Sequence, residues 1–403
     1  MNSALSSRLL AAALAATSAM DAQSAPAAPD LAPVGAAINA LGLDLWGKLA
    51  AGNGNLAFSP ASIAMALAMT TAGARGATQQ ELLRFLHVDD PGLLPAFGVL
   101  GRTLEQSAQV KLAIANRLFG DKGVPFEAAF LELLAKGFGS ALEPLDIRGQ
   151  PEAARLHVNA WVAEHTADKI RDILPPRSVD QDTRFLLANA VHFLGDWLRP
   201  FSAPMTQPRV FHLADGTEAE VPTMDQTAGL EFAEVDGSEV VQLRYKGRDF
   251  AMLLVLPPKA ATPASWASKA VLGLSAHPAS ERVHLQLPRF KVEAPSTIAL
   301  KEVMQALGVQ RAFSDTEADL TGIAHPANPN ERLKISEVWH KAFVRVDEKG
   351  TEAAAATVVA GARGAAMPPK PPREVRFDRP FWFALRHLPS GAVLFTGKVM
   401  DPR

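Results

Sequence analysis

The chain of 403 residues contains no cysteine. This absence excludes a disulfide framework, and it removes thiol nucleophiles and cysteine zinc sites from the available chemistry. The fold must therefore rest on an apolar core, for which a content of 48% apolar residues is ample.

The sequence also lacks an excess of either charge. Its 40 basic and 42 acidic residues give a formal net charge of -2, which argues against nucleic acid or an anionic membrane as the main partner. No continuous apolar stretch approaches the roughly 20 residues needed to span a bilayer. We therefore expect neither a nucleic-acid partner nor a membrane partner.

Motifs that mark common enzymes are missing as well. The sequence contains no Gly-x-Ser-x-Gly nucleophile elbow and no His-Glu-x-x-His zinc motif. Without a recognisable nucleophile and base or a set of metal ligands, the sequence predicts that the protein is not an enzyme and needs no cofactor or metal.

The N-terminus resembles a secretory signal. Arg8 precedes the small-residue apolar run Leu9–Ala19, and Ala19 or Ala22 could precede a cleavage site. A disordered Ala-rich tail is the alternative. We expect a signal peptide at 1–22, an Ala/Pro-rich linker at 23–35 and one domain at 36–403, in a secreted or periplasmic protein.

Helix and strand patterns are mixed beyond residue 36 without strict alternation, which predicts an α+β fold. Ser59 and Pro60 predict the start of a helix that ends near Gly73, with one apolar face. Buried or half-buried strands are predicted at 185–193, 250–256 and 283–287. Asn189 lies inside the first of these strands, so its amide needs hydrogen-bond partners.

An alanine-rich segment follows a predicted strand at residues 342–346. Residues 351–363 read TEAAAATVVAGAR, so they combine residues that favour helix with residues that favour strand. In an extended conformation one face carries only small or β-branched side chains, and Glu352 on the other face is the only charge before Arg363. Such a segment suits both an exposed loop and an inserted strand, because insertion between two strands would bury little charge.

Seven motifs in a fixed order give this segment its context. The stretch 350–357, GTEAAAAT, is similar to the reactive-loop hinge of inhibitory serpins, and the resemblance covers essentially everything after residue 36. The further matches are NLAFSPASI at 55–63, GARG at 73–76, NAWV at 159–162, NAVHF at 189–193, LPRF at 287–290, HKA at 340–342 and FDRPF at 377–381.

The resemblance implies a serpin fold with three β-sheets, about eight or nine helices and an exposed reactive loop. It also implies three groups of site residues. The hinge is Gly350, Thr351, Glu352, Ala353, Ala354, Ala355, Ala356 and Thr357. The shutter, a polar cluster under the opening of the main sheet, is Ser59, Ser62, Asn189 and His340. The breach, at the top of that sheet, is Trp197, Arg289 and Glu348.

The implied function is suicide inhibition of a serine protease by a monomer. The protease forms an acyl-enzyme with the loop, which then enters the main sheet. A non-inhibitory serpin, acting as a carrier, chaperone-like or structural protein, is the alternative, although such members usually have charged or bulky hinge residues.

The reactive bond stays open between neighbouring positions. Arg363-Gly364 is favoured because an arginine suits a trypsin-like pocket, whereas cleavage at Gly364-Ala365 or Ala365-Ala366 would suit an elastase-like enzyme. Met367 is a more remote choice. The prolines after Met367 make this side of the loop longer than is usual in the family, and that puts the register in doubt.

Overall fold

The computed structural model describes residues 29–259, 261, 278–293, 297–325, 332–351 and 371–403. These residues form an α+β fold, and Leu31–Arg403 is one compact unit. The helices in this part of the chain are α1 (Ala32–Leu49), α2 (Pro60–Gly73), α3 (Gly76–Phe85), α4 (Leu94–Glu105), α5 (Ala128–Leu133), α6 (Pro151–His165) and α7 (Lys301–Ala306).

The strands divide between a main sheet and a second sheet. The main-sheet strands are β2 (Val110–Asp121), β3 (Leu142–Leu145), β4 (Phe185–Asp196), β10 (Phe290–Glu293), β11 (Ile298–Ala299), β12 (Trp339–Val346) and β13 (Gly350–Thr351). The second sheet contains β1 (Leu56–Phe58), β5 (Gln207–His212), β6 (Glu218–Val235), β7 (Ser238–Arg244), β8 (Phe250–Leu256), β9 (Ala279–Pro288), β14 (Arg373–Arg376), β15 (Phe381–His387) and β16 (Val393–Val399).

The main sheet has the order β10-β12-β13-β4-β2-β3 with β11 beside β12. The second sheet has the order β1-β16-β15-β8-β7-β6-β9-β14 with β5 beside β6.

The described residues thus form two sheets, where three were expected. The reason is the length of β6, which pairs with β5 along 218–223, with β9 along 223–232 and with β7 along 231–235. One continuous strand therefore joins hydrogen-bond ladders that would otherwise belong to two separate sheets.

The count of seven α-helices among the described residues is also below the expected eight or nine. Several short helical segments are wound differently. Pro91–Leu93, Ala203–Met205 and Arg311–Phe313 are 3-10 turns, and Leu134–Phe138 extends α5 as a π-turn. These short segments are not wound as α-helices, so they do not add to the count.

The helix predicted from Ser59 to Gly73 is present as α2. The Ser59 side chain accepts a hydrogen bond from the Ser62 backbone N–H, as an N-cap does, and Pro60 occupies the first turn. The prediction that only one apolar face of this helix is buried is wrong, because nearly every residue of α2 is buried. The helix packs against β4 and β2 on the main sheet and against β16 on the second sheet, so it has no solvent face.

The first helix begins earlier than expected. α1 starts at Ala32, inside the stretch 23–35 that was predicted as a linker, and Pro33 lies in its first turn. Proline has no N–H to lose at this position, so an Ala/Pro-rich composition is compatible with the start of a helix.

α6 covers the outer face of the main sheet and forms a second, smaller core with it, in which Val158 and Val162 are fully buried. Asp168 lies beyond the end of this helix with a φ of 61°, in the left-handed region. Glycine is favoured at such helix ends, and aspartate is tolerated there.

Candidate functional site: the seam of the main sheet

The two central strands of the main sheet are paired over only part of their length. β12 runs parallel to β4, with Trp339 opposite Ala188 and Phe343 opposite His192. Beyond this point β13 lies between them, antiparallel to both, with Thr351 opposite Val346 on β12 and Gly195 on β4. We call the contact between β12 and β4 the seam; it is closed along 339–343 and occupied by Gly350–Thr351 above.

The structure brings the four predicted shutter residues together under the closed part of the seam. His340 lies opposite Asn189 across the seam, and its Nδ1 hydrogen-bonds to the Asn189 side-chain oxygen. The Asn189 amide nitrogen donates to the carbonyl oxygen of Ser62 at 2.6 Å and to its hydroxyl at 2.8 Å. Asn189 and His340 are both 0% exposed. The partners that a buried asparagine at this position requires are therefore all present.

Asn116 completes this cluster and was missed by the sequence analysis. It lies on β2 directly opposite Asn189, and its side-chain oxygen accepts a hydrogen bond from the Asn189 amide at 2.8 Å. It also accepts from the Ser62 hydroxyl. Only the register between β2 and β4 places Asn116 here, so no local motif could have identified it.

The hydrogen bonds fix the protonation state of His340. Its Nε2 accepts from the Ser59 backbone N–H at 3.0 Å, so the proton must be on Nδ1, which donates to Asn189. Burial lowers the pKa of His340 to about 3. The ring is therefore neutral at pH 7, and a second proton would face the Ser59 N–H. This histidine serves as a hydrogen-bonded link across the seam.

The predicted breach residues meet at the top of the seam. The Arg289 guanidinium donates to the Glu348 carboxylate through Nε at 2.7 Å, and Thr206 also donates to it. Burial alone would raise the pKa of Glu348, but the hydrogen bonds from Arg289 and Thr206 outweigh it and lower that pKa below its usual value. Trp197 donates from its indole nitrogen to the Asp347 carbonyl oxygen at 3.0 Å.

Tyr245 is a second residue that the sequence analysis missed. It is the only tyrosine of the chain, it is fully buried, and its hydroxyl lies 2.7 Å from the Thr351 hydroxyl. Its ring stacks on Trp197 with the centroids 4.5 Å apart. Tyr245 therefore links the breach to the first residues of the hinge.

Gly350 allows the chain to lie close against β4 in the gap. A Cβ atom at this position would lie 1.9 Å from the Gly195 carbonyl oxygen and 2.8 Å from the Asp196 Cα. Any larger residue would collide with β4, so a glycine is required by this close approach.

The remaining predicted residues are outside the described part of the chain. They are Glu352, Ala353, Ala354, Ala355, Ala356 and Thr357 of the hinge, and Arg363, Gly364, Ala365 and Ala366 at the reactive bond.

Two properties of the described residues bear on membranes and on metals. None of their helices combines the length and apolarity needed to cross a membrane, and no group of three or more His, Asp or Glu side chains is placed to hold a metal ion.

Comparison with known proteins places this geometry in a family. The sequence model described as "Serpin (serine protease inhibitor)" matches residues 36–402. An uncharacterized serpin-like protein of Thermococcus kodakarensis is 34% identical over 92% of this chain and 86% of its own length. The leukocyte elastase inhibitor of Bos taurus is 35% identical over 87% of this chain and 93% of its own length.

A solved structure agrees with the sequence relatives. Serpin48 of the insect Tenebrio molitor superposes with a TM-score of 0.81 at 29% identity and covers 92% of this chain and 98% of its own. The family match over residues 36–402 and the relatives at 34% and 35% identity lead to one conclusion: the chain belongs to the serpin family.

Proposed function

We propose that this protein is an irreversible suicide-substrate inhibitor of a serine protease, and that its cleaved loop becomes a new strand in the seam. The observation that carries the proposal is the position of β13. Gly350 and Thr351 already occupy the gap between β12 and β4, antiparallel to both. The residues that follow them would extend the same strand downward.

Strand pairing favours this insertion. The closed seam is a parallel pairing, which is slightly less stable per residue than an antiparallel one. An inserted strand would replace this pairing with two antiparallel pairings. It would also give the loop backbone hydrogen-bond partners inside a sheet. About 14 residues of extended chain span roughly 45 Å, which is enough to carry a bound protease across the molecule.

The shutter supplies a barrier to insertion. A strand that enters the closed seam must separate His340 from Asn189 and break their buried hydrogen bond. Breaking a satisfied buried polar network leaves its groups without partners and costs about 1–3 kcal/mol for each group. The intact protein would thus be kept in a metastable state by kinetics until a protease cuts the loop.

The sequence favours a trypsin-like target. Arg363 is the only basic residue between Lys349 and Lys370, so Arg363-Gly364 is the favoured reactive bond. Cleavage at Gly364-Ala365 or Ala365-Ala366 by an elastase-like enzyme remains the alternative. We further propose that the protein acts as a monomer outside the cytoplasm, in keeping with the apolar run at 9–19.

The test is incubation with trypsin and with elastase, followed by denaturing electrophoresis and N-terminal sequencing of the released fragment. We expect an SDS-resistant complex and a fragment that begins at Gly364. In Ala355→Glu the complex should give way to simple cleavage, because the glutamate would have to be buried in the sheet. Ala129→Glu, on an exposed position of α5, is the control and should still form the complex. Cleavage without a complex, for every protease tried, would favour a non-inhibitory serpin.

A further inference from the structure

A cavity of about 310 Å³ lies beside Trp197. Its walls come from the residues after β4, the middle of β6 and the β7–β8 hairpin. Three arginines line it, namely Arg199, Arg244 and Arg248. A volume of this size is at the lower end of the range for small-molecule sites.

The charges in this cavity are unbalanced. Glu231 is the only carboxylate among the lining residues, and it pairs with Arg244 at 2.8 Å. Arg199 donates to the carbonyl oxygen of Gly229, and the Arg248 side chain makes no ion pair within the described part of the chain. Arg199 and Arg248 thus line the same cavity, and neither is paired with a carboxylate of any described residue. A bound anion would offset their two positive charges.

Two of the arginines are fixed in position before any ligand arrives. A Cβ atom at Gly229 would lie 3.3 Å from the Arg199 Nη1, so the glycine leaves room for the guanidinium against the backbone of β6. Arg244 is fixed by Glu231, which also accepts a hydrogen bond from Gln242. Guanidinium groups that are already ordered lose less conformational entropy when they bind an oxyanion.

The cavity also has an apolar wall. It includes Leu198, which is 36% exposed, together with Leu230 and Leu243. A ligand would fill this space if its oxygen atoms bound the guanidinium groups and its flat apolar group lay against this wall. This combination favours a ligand that carries both.

We propose that this cavity binds a small sulfate or phosphate ester with a flat apolar group, and that binding influences the hinge. The link is short. Trp197 stacks on Tyr245 with the centroids 4.5 Å apart, and the Tyr245 hydroxyl lies 2.7 Å from that of Thr351. The influence on the hinge rests on the proposed inhibitory function, whereas binding does not.

The binding test uses calorimetric titration of the intact protein with 4-nitrophenyl sulfate and with 4-nitrophenyl phosphate at constant ionic strength. Neutral 4-nitrobenzyl alcohol is the uncharged reference. We expect saturable binding of at least one ester, and the tighter ester identifies sulfate or phosphate as the preferred group. Arg248→Gln and Arg199→Gln should each weaken binding about tenfold, the effect of losing one charged hydrogen bond.

Arg84→Gln, on the exposed side of α3, is the matched control and should bind as the parent does. Equal affinity in the control and the cavity variants would overturn the site, as would binding of the neutral alcohol alone. If the esters bind, they should also change the rate of complex formation with trypsin at least twofold, and this change should be lost in Arg248→Gln. Binding without any complex in any variant would refute the inhibitory function and leave the site intact.

Discussion

The two ends of the seam are stabilised by different kinds of interaction. At the shutter, Asn189 and His340 are neutral, 0% exposed and joined by a fully satisfied network. At the breach, the Glu348 side chain is 9% exposed but its partner Arg289 is 46% exposed. Opening a dry, satisfied network leaves buried groups without partners, whereas water can solvate a half-exposed ion pair. Under the proposed function, the seam would open from the breach and the shutter would set the barrier.

The largest effect is expected from Asn189→Ala. It removes the acceptor of His340 and the donor to Ser62 and Asn116, so the free energy of unfolding should fall by about 3 kcal/mol. The intact protein should also lose inhibitory activity faster on storage. Asn39→Ala is the matched control, because Asn39 is a buried asparagine on α1 whose side chain bonds to the backbone of Gly391 and Val393, away from the seam. It should destabilise the fold without faster inactivation, and equal inactivation of both variants would contradict the role of the shutter.

The second largest effect is expected from a fall in pH, which should lower the free energy of unfolding through His340. Because burial lowers the pKa of His340 to about 3, the folded state keeps the ring neutral while the unfolded chain takes up a proton below about pH 6.5. Its contribution to stability is therefore complete above pH 6.5 and is lost progressively as the pH falls towards 3. At pH 5 the loss is about 2 kcal/mol.

Denaturant unfolding of the parent and of His340→Gln between pH 7.5 and 5 measures this contribution. The variant has no titrating ring, so its stability should fall less over the same range. Parallel curves for the two proteins would show that His340 does not titrate as its burial requires.

Gly350→Ala tests the occupied part of the seam. The added methyl group would overlap the Gly195 carbonyl oxygen, so residues 350–351 should leave the gap and the Thr351–Tyr245 contact should be lost. We expect a loss of about 1–2 kcal/mol in stability and more cleavage per complex formed. Gly54→Ala has open space around its Cβ and should behave as the parent. An unchanged ratio of cleavage to complex in Gly350→Ala would show that hinge insertion does not matter.

The smallest effect is expected from Glu348→Gln. The charged hydrogen bonds from Arg289 and Thr206 are weakened, but solvent already reaches Arg289, so the loss should be about 1 kcal/mol. Because the pKa of Glu348 is lowered, its carboxylate contributes above its unfolded pKa, and the parent and variant should converge as the pH falls through the folded value. A loss as large as that in Asn189→Ala would remove the contrast between the two ends of the seam.

The sequence predicted those parts of the site that depend on local chemistry. Ser59 was recognisable as a helix cap, and the need of Asn189 for partners followed from its place in an apolar strand. Asn116 and Tyr245 could not be predicted, since the pairing of β2 with β4 brings the first to the shutter and the stack on Trp197 brings the second to the hinge.

The fold class was predictable for the same reason, because it rests on helix and strand patterns. The number of sheets was not, because it depends on whether β6 continues through 18 residues without a break in pairing. A single sequence gives the strand pattern of this stretch but not the partners of each end.

The most direct measurement compares the melting temperature of the intact protein with that of protein cut once within residues 357–366. The account predicts that the cut protein melts about 20 °C or more above the intact one, since the cleaved segment gains backbone hydrogen bonds on both sides in the seam. A cut protein that melts at or below the temperature of the intact one, with residues 352–360 still open to a second protease, would contradict it.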